Sequence, residues 1–301
     1  MSHLSAVGRT RHPVLTWRIV PALLVVLAAP AFFVLQVAWV GWVLLGAGLG
    51  CAFAIERFAR PVDRPVVSAG ARHENARVVS RRPVLLRDLS LVAIGMLIVS
   101  AIPLKAELDN LAMLRFGVVL GGAVAVPYLL SRFVYRDRAI GFPWRGGRAW
   151  STFQWAWLAG VLVLGWLILP FYFITSGVYL NWPVVDTPEL IARLFVGVGA
   201  VGIWDELFFI CTVFVLLLRH LHPVIANALQ TIVFVSFLWE LGYQAWGPLL
   251  TVPFALVQGY IFLVTRSLAY VVTVHLLFDA VVFAVLVHAH NPGLLDALFF
   301  V

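Results

Sequence analysis

The run PELIARLFVGVGAVGIWDELFFICTVFVLLL, residues 188–218, is 31 residues of nearly unbroken apolar sequence with two adjacent acids, Asp205 and Glu206, in its interior. As a helix it would reach about 46 Å, against roughly 30 Å of bilayer hydrocarbon, so it must tilt or extend beyond the membrane. Thr187-Pro188-Glu189 reads as its start: a hydroxyl cap, proline in the first turn and an acid facing the helix dipole. Arg219 closes the other end. Each ionisable side chain at mid-membrane costs roughly 2.5–3.5 kcal/mol on insertion scales, so a carboxylate pair there must be paired, line a wet cavity or do chemistry.

Working outward, apolar segments fall near 15–33, 35–56, 87–104, 111–131, 152–175, 188–218, 222–241, 247–265 and 268–289. The chain is 62% hydrophobic and 12% charged, with a mean hydropathy of +0.99 and 12 Trp in 301 residues. A water-soluble core of this length cannot use that much apolar surface. The expected fold class is all-α: a polytopic transmembrane bundle of about eight or nine spans. The count turns on Pro30, which either sits in a hairpin or kinks one long helix. Residues 1–150 read as N-terminal helices with arginine-rich cytoplasmic loops, and 151–301 as the domain carrying the polar cluster. No small-residue cleavage site follows Arg9, Arg11 and Arg18, so the first apolar stretch reads as an uncleaved span.

The net charge of +7 does not imply nucleic acid, because the arginines collect in short loops between apolar runs. With the N-terminus cytoplasmic, only Lys105, Arg115 and Arg193 lie outside, and 18 of 21 basic residues obey the positive-inside rule. The expected setting is the plasma membrane of a bacterium. The partners are membrane lipid, with the loop from Pro61 to Pro83 solvated and near anionic headgroups, and a peptide or protein substrate in the membrane. Cys51 and Cys211 are isolated in apolar segments and read as packing residues. No G-x-x-x-x-G-K-[ST] run suggests nucleotide-driven work.

Two later spans extend the acidic pair into a site. Ser236-Phe237-Leu238-Trp239-Glu240-Leu241-Gly242 carries a third acid, and His275-Leu276-Leu277-Phe278-Asp279 sets a histidine and an acid four residues apart, on one helix face. Adjacent helical residues point about 100° apart, so Asp205 and Glu206 can share a broad cavity but not one narrow contact. Asp205, Glu206, Glu240, His275 and Asp279 are expected to converge from three helices. Depth is the obstacle: a straight helix from 222 carries Glu240 towards the outer boundary, while His275 lies nearer the inner one. Acids buried this close favour shared protons over four full negative charges. A divalent ion such as Zn is the other way to neutralise them, with Glu206, Glu240 and His275 as candidate ligands.

The order and spacing of these residues resemble the CPBP or Abi intramembrane proteases, which include the type II CAAX prenyl endopeptidases. That family's pattern is E-E-x-x-x-R on one helix, F-x-x-x-H on the next and H-x-x-x-N or H-x-x-x-D on a later one. Over about residues 188–289 this chain gives Asp205-Glu206 with Ile210, Ser236 with Glu240, and His275 with Asp279, so only Glu206, His275 and Asp279 match strictly. The resemblance implies an intramembrane endopeptidase with catalytic residues among Asp205, Glu206, Glu240, His275 and Asp279. The acid at 205 or 206 would activate water, and the later residues would hold it or stabilise the oxyanion. An anionic Glu240 would repel that oxyanion, whereas a protonated one could donate to it. Two alternatives stay open: an inactive protease-like scaffold or immunity protein, and a proton-coupled transporter. The second lacks a counterpart of the cluster in residues 1–150.

Overall fold

The computed structural model describes residues 16–58, 84–146 and 149–299. Within them the chain is a polytopic helical bundle that runs back and forth nine times. The passes are α1 (Ile19–Val34), α2 (Ala38–Phe58), α3 (Leu85–Val99), α4 (Asn110–Val134), α5 (Thr152–Thr175), α6 (Pro188–Leu218), α7 (Pro223–Leu241), α8 (Pro248–Thr265) and α9 (Leu268–His290). All but α1 and α3 are long and apolar enough to cross a bilayer. The stretch 61–83, Arg9, Arg11 and Arg148 lie outside the described residues, and with them the loop expected near anionic lipid.

Pro30 belongs to the first helix and the hairpin follows it. With no N–H to give, proline disturbs the ordinary ladder, and the helix continues from Pro30 to Val34 in a wider π register, Leu35 N–H donating to Pro30 O at 2.9 Å. The reversal comes at Gln36, whose φ is 55°. The segment expected as a span over 87–104 stops at Val99, giving about 22 Å of helix, too short to cross alone. It survives because Leu89, Leu91, Val92 and Met96 are packed inside the bundle.

The long run 188–218 is one helix, capped as expected by Thr187 Oγ1, which accepts from Leu190 N–H at 3.3 Å. It is α-helical to Asp205, π-helical over Glu206–Phe214 and α-helical again to Leu218. Thr212 Oγ1 donates to Leu207 O, five residues back, at 2.9 Å. This helix is the most enclosed of the long ones and contacts α3, α4, α7, α8 and α9.

The two ends of the bundle differ. At one, Arg87 and Arg219 bracket Asp88 and Asp137, with Arg219 to Asp137 at 2.8 Å and His220 Nε2 to Asp88 at 2.8 Å, all largely buried. Leu268 and Ala269 N–H donate there to Pro143 and Trp144 O. At the other end, Tyr172 donates to Gln244 O, Asn181 to Gly242 O and Asn291 to Val185 O, while Arg193 holds Leu108 O and Asn110. The arginine-rich end is therefore tied by buried ion pairs, and the arginine-poor end by side chains gripping loop carbonyls.

Candidate intramembrane active site

Asp205 and Glu206 stand where α6 changes from α to π register. π segments recur at functional sites because the widened turn redirects side chains. Here the two acids reach opposite nitrogens of one imidazole. Glu206 Oε1 lies 2.7 Å from His275 Nδ1, and Asp205 Oδ2 lies 3.5 Å from His275 Nε2. Asp279, one turn beyond His275 on α9, brings Oδ1 to 3.9 Å from Nε2. All four are buried: 2% exposed for Asp205, 1% for Glu206, 3% for His275 and 7% for Asp279.

The hydrogen bonds fix the ring. Gln258 Nε2, on α8, donates to Glu206 Oε1 at 2.7 Å and to Val271 O at 3.1 Å. Oε1 thus already accepts one proton donor and takes the second from His275, which assigns the proton to Nδ1 and leaves Nε2 towards Asp205 and Asp279. Phe254 and Phe234 stand edge-on to the imidazole, with centroids 5.0 and 6.1 Å away. Close approach of α6 and α9 depends on Gly202, since a Cβ there would overlap the Asp279 carboxylate.

Asp205, His275 and Asp279 line a cavity of about 430 Å³ that also touches Trp204, Tyr243 and Lys105. Glu206 is not on its wall; it lies behind the imidazole it orients. Trp204 is stacked on Phe208 and anchored by donating Nε1–H to Leu120 O at 2.6 Å. Tyr243 lies in the α7–α8 connection, outside the spans, where burial and the nearby Asp279 and Asp205 charges push its phenol well above the ordinary range. It therefore remains a neutral hydroxyl at physiological pH.

Four of the five sequence candidates come together, and Glu240 does not. Helix α7 starts at Pro223 without delay, so Glu240 arrives at its far end, two residues before Gly242 ends the helix with φ 132°. There its Oε1 accepts from Leu104 N–H at 3.2 Å, across the α3–α4 connection. The late start that would return it to the cluster is not there. Glu240 is thus separated from the other two candidate metal ligands, Glu206 and His275, and among the described residues no group of three His, Cys, Asp or Glu side chains is arranged to hold a metal ion.

The positions that depart from the family pattern are apolar or self-satisfied. Ile210 is packed in the core, and Ser236 donates back to Ile232 O at 2.7 Å. With no arginine at 210, Glu206 takes its second partner from Gln258. Sequence reading missed Gln258, Tyr243 and Lys105. Gln258 carries a detectable signal, a lone amide inside an apolar span, but neither of the others stands out before the fold brings them to the cavity.

The family model described as Type II CAAX prenyl endopeptidase Rce1-like matches residues 187–281, from the cap of α6 into α9. No curated protein and no solved structure matches the chain. The match covers the helices that bring Asp205, Glu206, His275 and Asp279 together, and residues 187–281 are a domain of the CPBP family.

Proposed function

We propose that the protein is an intramembrane endopeptidase that hydrolyses peptide bonds of membrane-associated polypeptides, with Asp205 as general base and His275 as the donor to the developing oxyanion. The observation that carries this reading is a single imidazole held between Glu206 and Asp205 on the wall of a membrane-embedded cavity. Water held by Asp205 and Asp279 gives a proton to the Asp205 carboxylate as its oxygen bonds to the scissile carbonyl carbon. The carbonyl oxygen gains negative charge and accepts from Nε2–H of His275, which acts here as an imidazolium with a proton on each nitrogen, Nδ1–H towards Glu206 and Nε2–H towards the cavity, with the neutral Tyr243 hydroxyl on the same wall as a second donor. The C–N bond then breaks, and the amine leaves with the proton that Asp205 took. Glu206 accepts Nδ1–H and keeps the imidazole in its orientation throughout, as a carboxylate does in other acid–histidine pairs.

A purely structural network fits less well. Asp205 Oδ1 and Glu206 Oε2 are buried without a hydrogen-bond partner in the protein. Each such oxygen costs a scaffold roughly 1–3 kcal/mol or more, whereas a hydrolase uses the one on the cavity wall, Asp205 Oδ1, to hold water. The test is quantitative mass spectrometry of new peptide termini in membranes of cells expressing the wild type or Asp205→Asn at matched abundance. Termini that depend on Asp205 are the expected result. None, with both proteins inserted and folded, would leave the scaffold reading.

A further inference from the structure

We propose that the cavity is entered from the non-cytoplasmic side, through the gap between α4 and the first half of α6. Its substrate is then a polypeptide segment already inserted in that half of the bilayer, rather than a soluble cytoplasmic tail. This rests on the endopeptidase reading for the word substrate, but not for the direction of access.

Two independent observations converge on it. The first is where the cavity leads. From Asp205 and His275 its wall climbs through Leu120, Gly117 and Met113 of α4 and through Val201, Gly197 and Leu194 of α6, ending at Lys105, Glu107 and Trp182. Every connection it reaches belongs to the arginine-poor end. None of its lining residues comes from the end tied by Arg87, Asp88, Asp137 and Arg219. The second is the charge asymmetry of the sequence, in which 18 of 21 basic residues fall on one side of the alternating spans, and it assigns the arginine-rich end to the cytoplasm. The mouth of the cavity is therefore on the opposite side.

The sideways opening is built from small residues. Helix α4 packs on the π segment of α6 and touches its first half only sparsely. Gly117, Gly121 and Ala200 are exposed on either side of the divergence, and a Cβ at Gly117, Gly121 or Gly197 would meet nothing within 4 Å. In lipid, small residues on facing helices ordinarily bring backbones together. Here they face open space above a polar cluster, which is what lateral admission of a peptide backbone requires. A segment coming from the bilayer would bring its own apolar side chains against Phe116, Val196 and Val198, and its scissile amide to Asp205.

The single lysine of the chain makes the direction measurable on the native protein. Lys105 is exposed at the cavity mouth, so a membrane-impermeant amine-reactive ester modifies this side chain and no other. In sealed vesicles of either orientation, with Lys105→Arg as control, we expect the Lys105 peptide to be modified at least about ten-fold more where the non-cytoplasmic face is outward; the reverse preference overturns the proposal. For the route, Gly121→Leu puts an isobutyl group into the gap from a position where a Cβ meets nothing within 4 Å. It is expected to cut Asp205-dependent new termini at least about ten-fold, with those seen in the wild type falling inside spans or on their non-cytoplasmic flanks. Undiminished cleavage by Gly121→Leu, or termini on cytoplasmic flanks, overturns it. If no Asp205-dependent termini exist at all, the endopeptidase reading fails while the labelling still decides which side the cavity faces.

Discussion

The imidazole of His275 touches every part of the chemistry, and its neighbours define what each substitution should do. Glu206→Gln replaces the carboxylate that accepts Nδ1–H with an amide that can present either a donor or an acceptor, so the ring loses its fixed orientation and the charge that balances it. The comparable change in a carboxylate–histidine pair costs about 10⁴-fold, and a loss of roughly 10²–10⁴-fold in Asp205-dependent cleavage is expected here, with normal insertion and abundance. Gln258→Leu removes the second donor to Glu206 Oε1; as a supporting group rather than a reacting one, it should cost roughly 10–100-fold. Glu240→Gln keeps an acceptor for Leu104 N–H and should leave cleavage within about three-fold, since exposed or half-buried neutral swaps of this kind are mild. The acids and histidine were legible in the sequence because ionisable groups in apolar spans announce themselves. Glu240, which stands apart from the cluster, was equally visible, and only helix depth separates it: about 26 Å along α7 from Pro223 it sits at the rim. Spacing within one helix survives as sequence information, whereas vertical register between helices does not.

At the scale of helices, α6 decides the site, and two contacts can be tested without touching a reacting group. Gly202→Ala places a methyl group where the Asp279 carboxylate lies, so α6 and α9 must part or Asp279 must turn away. Overpacking of this sort costs about 1–3 kcal/mol, and cleavage should fall with thermal stability in detergent. At the arginine-rich end, Asp137→Ala leaves Arg87 and Arg219 buried with half their partners. Breaking a buried pair in this way costs roughly 3–5 kcal/mol, which should appear as a lower melting temperature, with the residual folded fraction still active. The run 188–218 was readable as a helix, and its Thr187 cap was too. The π register from Glu206 to Phe214 was not, because nothing in ELFFICTVF distinguishes an i→i+5 ladder from an i→i+4 one. That register accounts for how two adjacent acids reach one ring, which ideal 100° geometry does not allow at a single contact.

For the molecule as a whole, class and approximate span number followed from composition and from where the arginines fall. The buried knot of Arg87, Asp88, Asp137, Arg219 and His220 did not, since its members are divided between the first turn of α3 and two connections that look solvated in sequence. The result is a bundle closed by ion pairs at one end and opened by a cavity towards the other, with the acid–imidazole–acid group between them. The most direct test of that account is a count of new peptide termini in membranes from cells expressing wild type, Asp205→Asn, His275→Ala and Glu240→Gln at equal abundance. Termini present in wild type and Glu240→Gln but absent from Asp205→Asn and His275→Ala are the predicted result. Termini that persist in both Asp205→Asn and His275→Ala would contradict it.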